Sequence, residues 1–311
     1  MLSRVAESVF WMGRYMERTN CLLRIVRTNY IAMQDEMKQS GWGSILHTYG
    51  NLKPEEAARI KNDSKAVLQY LILDRDNDAS LINNITRSRE NARSVQDHIT
   101  KEMWHAINSF YHLIREDTIE EQLKTGDPVG ALDILIKQGM FLFGTLDITM
   151  VRGEAYNFLN IGRFIERSII ITRVVGTWLK DIDFNVENTT ESDLRYMLYS
   201  LSGYELYYKS SHAIIEAESV IHQILYVTDF AHSLIYSMSR IERYFKRLFN
   251  ESIPENYEYL DFLIGKALNH LKYNSCNVKD GNSVNELLSH TVGDLLEISG
   301  AFNKHYFGYN L

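Results

Sequence analysis

The sequence predicts an all-α protein, a multi-helix bundle built from a tandem duplication of one helical unit. Three observations carry that prediction. Only three prolines, Pro54, Pro128 and Pro254, occur in 311 residues, and the 17 glycines fall mostly between periodic segments, so long helices are interrupted rarely. Apolar residues recur at helical spacing, as at Val5, Val9, Met12, Met16 and Leu23, whereas alternating β-branched runs are hard to find. Finally, the chain repeats itself.

Set beneath Gly13–Thr28, the segment Gly162–Thr177 matches at seven of sixteen positions without a gap, where roughly one match is expected by chance. The identities are Gly13 with Gly162, Arg14 with Arg163, Glu17 with Glu166, Arg18 with Arg167, Arg24 with Arg173, Val26 with Val175 and Thr28 with Thr177; Tyr15 with Phe164 and Thr19 with Ser168 are conservative. A second match aligns Asp76–Arg87 with Asp229–Arg240 through the aspartate, Ser80 with Ser233, Leu81 with Leu234, Ile82 with Ile235, and the arginine. The two matches are collinear, which places a boundary near Asp147–Gly153 and divides the chain into repeat units 1–149 and 150–311. No flexible linker separates Met150 from Arg152, so the units are expected to pack as one continuous bundle.

The helices are expected in the same order in each copy. The first runs from about Ser3 to Met37, with its counterpart from about Arg152 to Lys180. Shorter helices follow over Trp42–Tyr49 and Pro54–Leu73, then a long one over Ala79–Glu116 capped by Asp76 and Asp78, and Pro128 opens the last helix of the first copy. In the second copy they fall near Glu191–Ser202, Tyr204–Tyr226, Phe230–Phe249, Asn256–Tyr273 and Val284–His305. The polar stretches Asp181–Thr190 and Asn274–Asn282 read as loops.

Composition narrows the function. A net charge of -7 repels a polyanion and no basic patch stands out, which argues against nucleic acid as a partner. No stretch approaches the roughly 20 uninterrupted apolar residues of a membrane span, and Ile161–Leu179 is broken by Arg163, Glu166, Arg167 and Arg173. No basic amphipathic helix suggests membrane-surface binding either. The two cysteines, Cys21 and Cys276, are far apart in sequence, and Cys21 lies in an apolar helical pattern; a reducing, cytoplasmic compartment follows. Glu7 and Glu17 argue against a mitochondrial presequence, and the same segment recurs inside the chain.

One charged motif stands out. Glu7, Arg14 and Arg18 share a helical stripe with Trp11, Leu22 and Ile25, opposite an already apolar face, which describes a helix buried nearly all round. Two arginines four residues apart repel each other and require anionic partners, for which Glu7 and Glu17 are at hand. The candidate ligand-binding residues are therefore Arg14, Glu17, Arg18, Arg163, Glu166 and Arg167. Glu7, Arg87, Glu90, Arg240, Glu242 and Arg243 form a secondary set, beside Arg89 and Arg93. Two readings stand open: the pairs are interhelical struts inherited through duplication, or the two arginine helices face each other across a pseudo-twofold and grip a carboxylate or phosphate in two planar forks.

Catalytic signatures are weak. Glu102 with His105, and Asp229 with His232, have the spacing of bundle metal ligands, but ten histidines and forty acids produce about one to two such spacings by accident, and His232 aligns with Ala79. No metal site is expected. There is no Gly-x-Ser-x-Gly elbow, no Cys-x-x-Cys and no glycine-rich phosphate loop, so no cofactor is called for and the catalytic residues of any reaction are unknown. Trp11, Trp42, Trp104 and Trp178 lie in helical patterns and read as core.

The segments LSRVAESVFWMGRYMERTNCLLRIV and RENARSVQDHITKEMWHAIN strongly resemble the bacterial alpha-E family, named for helical content and a recurrent Glu-Arg motif, and the likeness runs over essentially the whole chain. On that resemblance the motif maps to Glu17 with Arg18, Glu166 with Arg167, and Arg89 with Glu90. The family is typically encoded beside circularly permuted ATP-grasp proteins and transglutaminase-like proteases. The resemblance thus implies an ATP-grasp-type ligase and a transglutaminase-like protease as partners in a pathway of amide or peptide formation and cleavage, with this chain as a non-catalytic accessory or scaffold. The alternative is an enzyme or binding protein that holds an anionic peptide-like ligand on the arginine helices.

Overall fold

The structure, a computed structural model, describes residues 1–34, 41–50, 52–210, 214–248 and 257–308, and every regular element among them is helical. Fifteen α-helices are seen among the described residues, divided between two compact units: one comprises Met1–Arg14 with Val151–Leu311, the other Tyr15–Met150. The first helix, α1 (Ser3–Gln34), contributes to both. Its predicted end at Met37 lies outside the described residues, as do Phe249 and Asn256.

Within Tyr15–Met150 the chain continues through α2 (Gly43–Tyr49), α3 (Pro54–Ile60), α4 (Ser64–Leu68), α5 (Leu81–Ser94), α6 (Lys101–Leu113), α7 (Asp117–Lys124) and α8 (Pro128–Thr149). Two predicted helices are in fact broken. Pro54–Leu73 stops at Ile60, and Asp63 restarts it by accepting from the Lys65 and Ala66 amides at 3.0 and 3.2 Å; α4 then widens into a π-helical turn over Gln69–Leu73. Ala79–Glu116 is split at Val95–Thr100, because Thr100 caps α6 through the Met103 amide at 3.1 Å. The cap of α5 is Ser80, not Asp76 or Asp78. Helix α6 packs on α5 and α8, α7 packs on α8, and Trp42 is buried with its indole donating to Ser64 Oγ at 2.9 Å. By length and composition α8 is apolar enough to cross a membrane, but Asp133, Lys137 and Asp147 interrupt it and a little under half of its most apolar window is buried inside the protein.

The other unit holds α9 (Glu154–Asp181), α10 (Glu191–Ser200), α11 (Tyr204–Ser210), α12 (Ala217–Tyr226), α13 (Leu234–Lys246), α14 (Tyr257–Tyr273) and α15 (Gly281–His305). Here too a predicted helix, Tyr204–Tyr226, divides into two. Helix α9 is the axis: α13 and α15 lie against it, and α14 lies against both. Its middle is buried on every side, from Tyr156 through Thr172 with Arg163 as the least enclosed member, as expected of a helix surrounded by others. The start of α1 is locked into this unit by Phe10, whose ring sits 5.7 Å from Phe302 and 5.2 Å from Phe307, while Phe158 and Phe245 meet Phe302 at 6.3 and 6.0 Å.

Helix α1 crosses α9 at close range through a pair of glycines. A Cβ on Gly13 would lie 2.1 Å from the Leu159 carbonyl oxygen, and one on Gly162 would lie 2.2 Å from the Phe10 carbonyl oxygen. The contacts are reciprocal: each glycine meets the residue three before the other. Backbone touches backbone, so neither position can take a side chain without forcing the helices apart. Gly265, mid-helix in α14, has nothing within 4 Å of where its Cβ would be. Gly13→Ala is therefore expected to destabilise by about 2 kcal/mol or more, despite alanine's better helix propensity, whereas Gly265→Ala stabilises by about 0.5–1 kcal/mol. Urea unfolding of the two variants measures both, and equal effects would contradict the close crossing.

Candidate functional site

The helical crossing fixes the first part of the candidate site. Arg14 follows Gly13, and at this short separation its Nε donates to Glu166 Oε2 at 2.8 Å. Both groups are enclosed: Arg14 is 9% exposed and Glu166 1%. The guanidinium also lies over Trp11, 4.7 Å from the ring centre, and 5.9 Å from Phe10. Arginine suits such a place because its flat, weakly hydrated head bonds at its edge and stacks on its face at once. Sequence reasoning offered Glu7 and Glu17, on the same helix, as acids for Arg14; the Nε bond reaches Glu166 on α9. That choice depends on the crossing and is invisible in either helix alone.

Further along α9, Arg167 is buried at 4% exposure and donates through Nη1 to the Ala231 carbonyl at 3.0 Å, just before the Ser233 cap of α13. Its guanidinium lies 4.9 Å from the centre of the Phe164 ring, and that of the half-buried Arg163 lies 5.4 Å away. Phe164 in turn contacts Tyr236 at 6.0 Å, over which Arg240 sits at 4.6 Å. Arg163, Arg167 and Arg240 are thus gathered on one aromatic patch. Glu242 and Arg243 are not part of it, since Glu242 pairs with Lys246 at 2.7 Å and Arg243 is exposed.

In the unit formed by Tyr15–Met150, Glu17 is fully enclosed and accepts from the Cys21 thiol at 3.4 Å. Arg18, half-buried, lies 5.6 Å from the Tyr15 ring and Arg87 lies 6.0 Å from it. Arg87 is tied to Asp78, both through its carbonyl at 2.8 Å and through its carboxylate. Glu90 does not join them: it bonds Arg89 at 2.9 Å and Arg93 at 2.7 Å, while Arg89 reaches Asn108 at 2.7 Å and stacks on Tyr111 at 4.5 Å. Glu7 is half-buried near the start of α1.

Three participants escaped sequence reasoning. Tyr15 and Phe164, noticed only as a conservative pair, are the platforms on which the arginines rest. Asp78, read as a cap, is the counter-charge of Arg87. Their signal was the recurrence itself, an aromatic residue following Gly-Arg in both copies. Among the described residues no group of three or more His, Cys, Asp or Glu side chains is placed to hold a metal ion. The side chains gathered here are enclosed guanidinium and carboxylate groups, which bind charge, either each other's or a ligand's.

Comparison with known proteins fits these features. The family model Alpha-E, described as a predicted alpha-helical domain with a conserved ER motif, matches residues 1–307. Uncharacterized protein Mb2597 of Mycobacterium bovis is 22% identical over 269 residues, covering 79% of this chain and 30% of that protein. Uncharacterized protein Rv2567 of Mycobacterium tuberculosis is 21% identical over the same length, with the same coverage. The chain thus spans 30% of the length of the curated relatives it matches. No solved structure matches it. With glutamate–arginine pairs at Glu17–Arg18 and Glu166–Arg167 of an all-helical chain, and the family model covering 1–307, the chain belongs to the Alpha-E family.

Proposed function

We propose that this chain is a non-catalytic helical accessory or scaffolding protein, formed by duplication of one helical unit, that serves a cytoplasmic ATP-grasp amide ligase and a transglutaminase-like protease in a peptide or amide pathway. One observation carries the non-catalytic part of the reading: Glu17, Glu166, Arg14 and Arg167 of the motif are buried, and Arg14 is bonded to Glu166 inside the protein. Charges enclosed and neutralised in this way hold helices in register; they are not held open for substrate. Breaking such a pair is costly, about 3–5 kcal/mol, because it leaves an uncompensated buried charge.

Several parallels support the duplication. Ser80 and Ser233 both cap the helix that follows, through the Asn83 and Tyr236 amides. Arg18 rests on Tyr15 as Arg167 rests on Phe164. The division between the compact units at Met150–Val151 falls inside the stretch where the repeats meet, although Met1–Arg14 groups with the C-terminal unit. A cytoplasmic setting is supported by the two free thiols, Cys21 and Cys276. An accessory role agrees with the relatives, in which the matched segment is joined to a larger chain.

The second reading, an anionic peptide-like ligand, rests on Arg163 and Arg240, which are only half-buried and lie on one aromatic patch. Two experiments separate the readings. Tagged chain isolated from its native host is expected to bring down an ATP-grasp protein in fixed ratio, and adding the chain to that protein changes its ATP turnover; recovery of the chain alone contradicts the scaffold. Calorimetric titration with a short glutamate-rich peptide is expected to give no heat of binding, whereas saturable binding lost in Arg163→Gln or Arg240→Gln would favour the second reading.

A further inference from the structure

Helices α5 and α6 pack on each other and bring one stripe of each into contact. On α6, Trp104, Asn108 and Tyr111 recur at spacings of four and three, and Arg115, four residues further in the turn that follows, continues the stripe. Thr86, Arg89, Glu90 and Arg93 form the facing stripe on α5. Thr86, Arg89, Trp104, Asn108, Tyr111 and Arg115 are all half-buried, so the seam is shielded yet reached by solvent.

Two guanidinium groups meet on one ring there. Arg89 lies 4.5 Å from the Tyr111 ring centre and Arg115 lies 4.1 Å from it, so their central carbons are no more than about 9 Å apart. Arg89 is also 5.4 Å from the Trp104 ring, and its bonds go to Asn108 and Glu90. Arg115 has no acid. Among the described residues it forms no ion pair, its Nη2 donates to the neutral Thr86 hydroxyl at 3.1 Å, and its Nε meets no acceptor. The carboxyl end of α6 favours a cation nearby, which accounts for an arginine at this point but leaves these donors unused. Glu90 is shared between Arg89 and Arg93. Three guanidinium groups thus stand against one carboxylate, an excess of two positive charges in a place partly closed to water.

An ion with two negative charges and several acceptor oxygens completes this arrangement. A phosphoryl group carries about −1.5 to −2 charge at neutral pH and three strong acceptor oxygens, enough to meet both arginine forks and the Thr86 hydroxyl. At ordinary hydrogen-bond lengths a phosphorus atom sits roughly 4 Å from each guanidinium carbon it serves, so a single such group comes within reach of both. A carboxylate offers half the charge and two oxygens, which leaves the excess in place. We propose that Arg89 and Arg115 hold a phosphate dianion, free or as a small phosphate monoester, at the edge of Tyr111. The site is confined to α5, α6 and the turn after it, and it shares no residue with the Arg163–Arg240 patch.

Calorimetric titration of the full chain at constant ionic strength tests this, with inorganic phosphate, glycerol 3-phosphate and acetate as probes. The expected result is saturable binding of phosphate or its ester and none of acetate. Tighter binding of inorganic phosphate identifies the free ion as the ligand, and tighter binding of glycerol 3-phosphate identifies a monoester. Arg115→Gln is expected to weaken binding by about ten-fold or more and Arg115→Lys by less, because lysine keeps the charge but not the fork. Glu90→Gln removes the competing acid and is expected to tighten binding several-fold. Lys101→Gln removes the same charge from the exposed start of α6 and leaves binding unchanged. Circular dichroism shows that each variant folds, and phosphate raises the thermal midpoint of the unaltered chain but not that of Arg115→Gln. No saturable binding of either phosphate, equal binding of acetate, or equal losses in Arg115→Gln and Lys101→Gln would each overturn the proposal.

Discussion

Two glycines, Gly13 and Gly162, set the distance between α1 and α9, and the buried charges of the candidate site depend on that distance. With backbone against backbone, the side chain that follows Gly13 reaches across to the carboxylate one turn beyond Gly162. A wider crossing would break the bond between Arg14 and Glu166 while both stay enclosed, which is costly for two buried charges. The glycines and the ion pair are therefore one device. The aromatic cluster of Phe10, Phe158, Phe245, Phe302 and Phe307 then seals the same end of the helix pair, which excludes water from the charges and raises the cost of separating them.

Aromatic rings have a second use in this fold. Tyr15, Phe164, Tyr236 and Tyr111 each carry an arginine on or near a face. Stacking lets a guanidinium be taken partly out of water while its edge stays free to bond a carbonyl or carboxylate, as Arg167 does with Ala231 and Arg89 with Asn108. Stacking thus adds to the hydrogen bonds and ion pairs that hold these arginines inward.

Much of this was legible before the structure. The helical class follows from periodicity and scarce prolines, and the motif from its recurrence at Gly13–Thr28 and Gly162–Thr177. What stayed hidden needed tertiary information. The breaks at Asp63 and Thr100 were missed because apolar periodicity runs on through them, and only the caps themselves, one acid and one threonine, mark the stops. The Glu166 partner of Arg14 could not be chosen from the several acids nearby in sequence, since the choice is made by a crossing angle and a pair of glycines. Asp78 was misread for the same reason: an acid before a helix looks like a cap until Ser80 is seen to fill that role.

The most direct test is a double-mutant cycle on Arg14 and Glu166, using Arg14→Met, Glu166→Met and the double variant, with stability read from urea unfolding. The account predicts that each single variant loses about 3–5 kcal/mol and that the double variant recovers part of it, giving a coupling of about 2–3 kcal/mol. Independent, small losses in the two single variants, with no coupling between them, would mean that the pair does not hold the crossing and that the buried motif serves something other than structure.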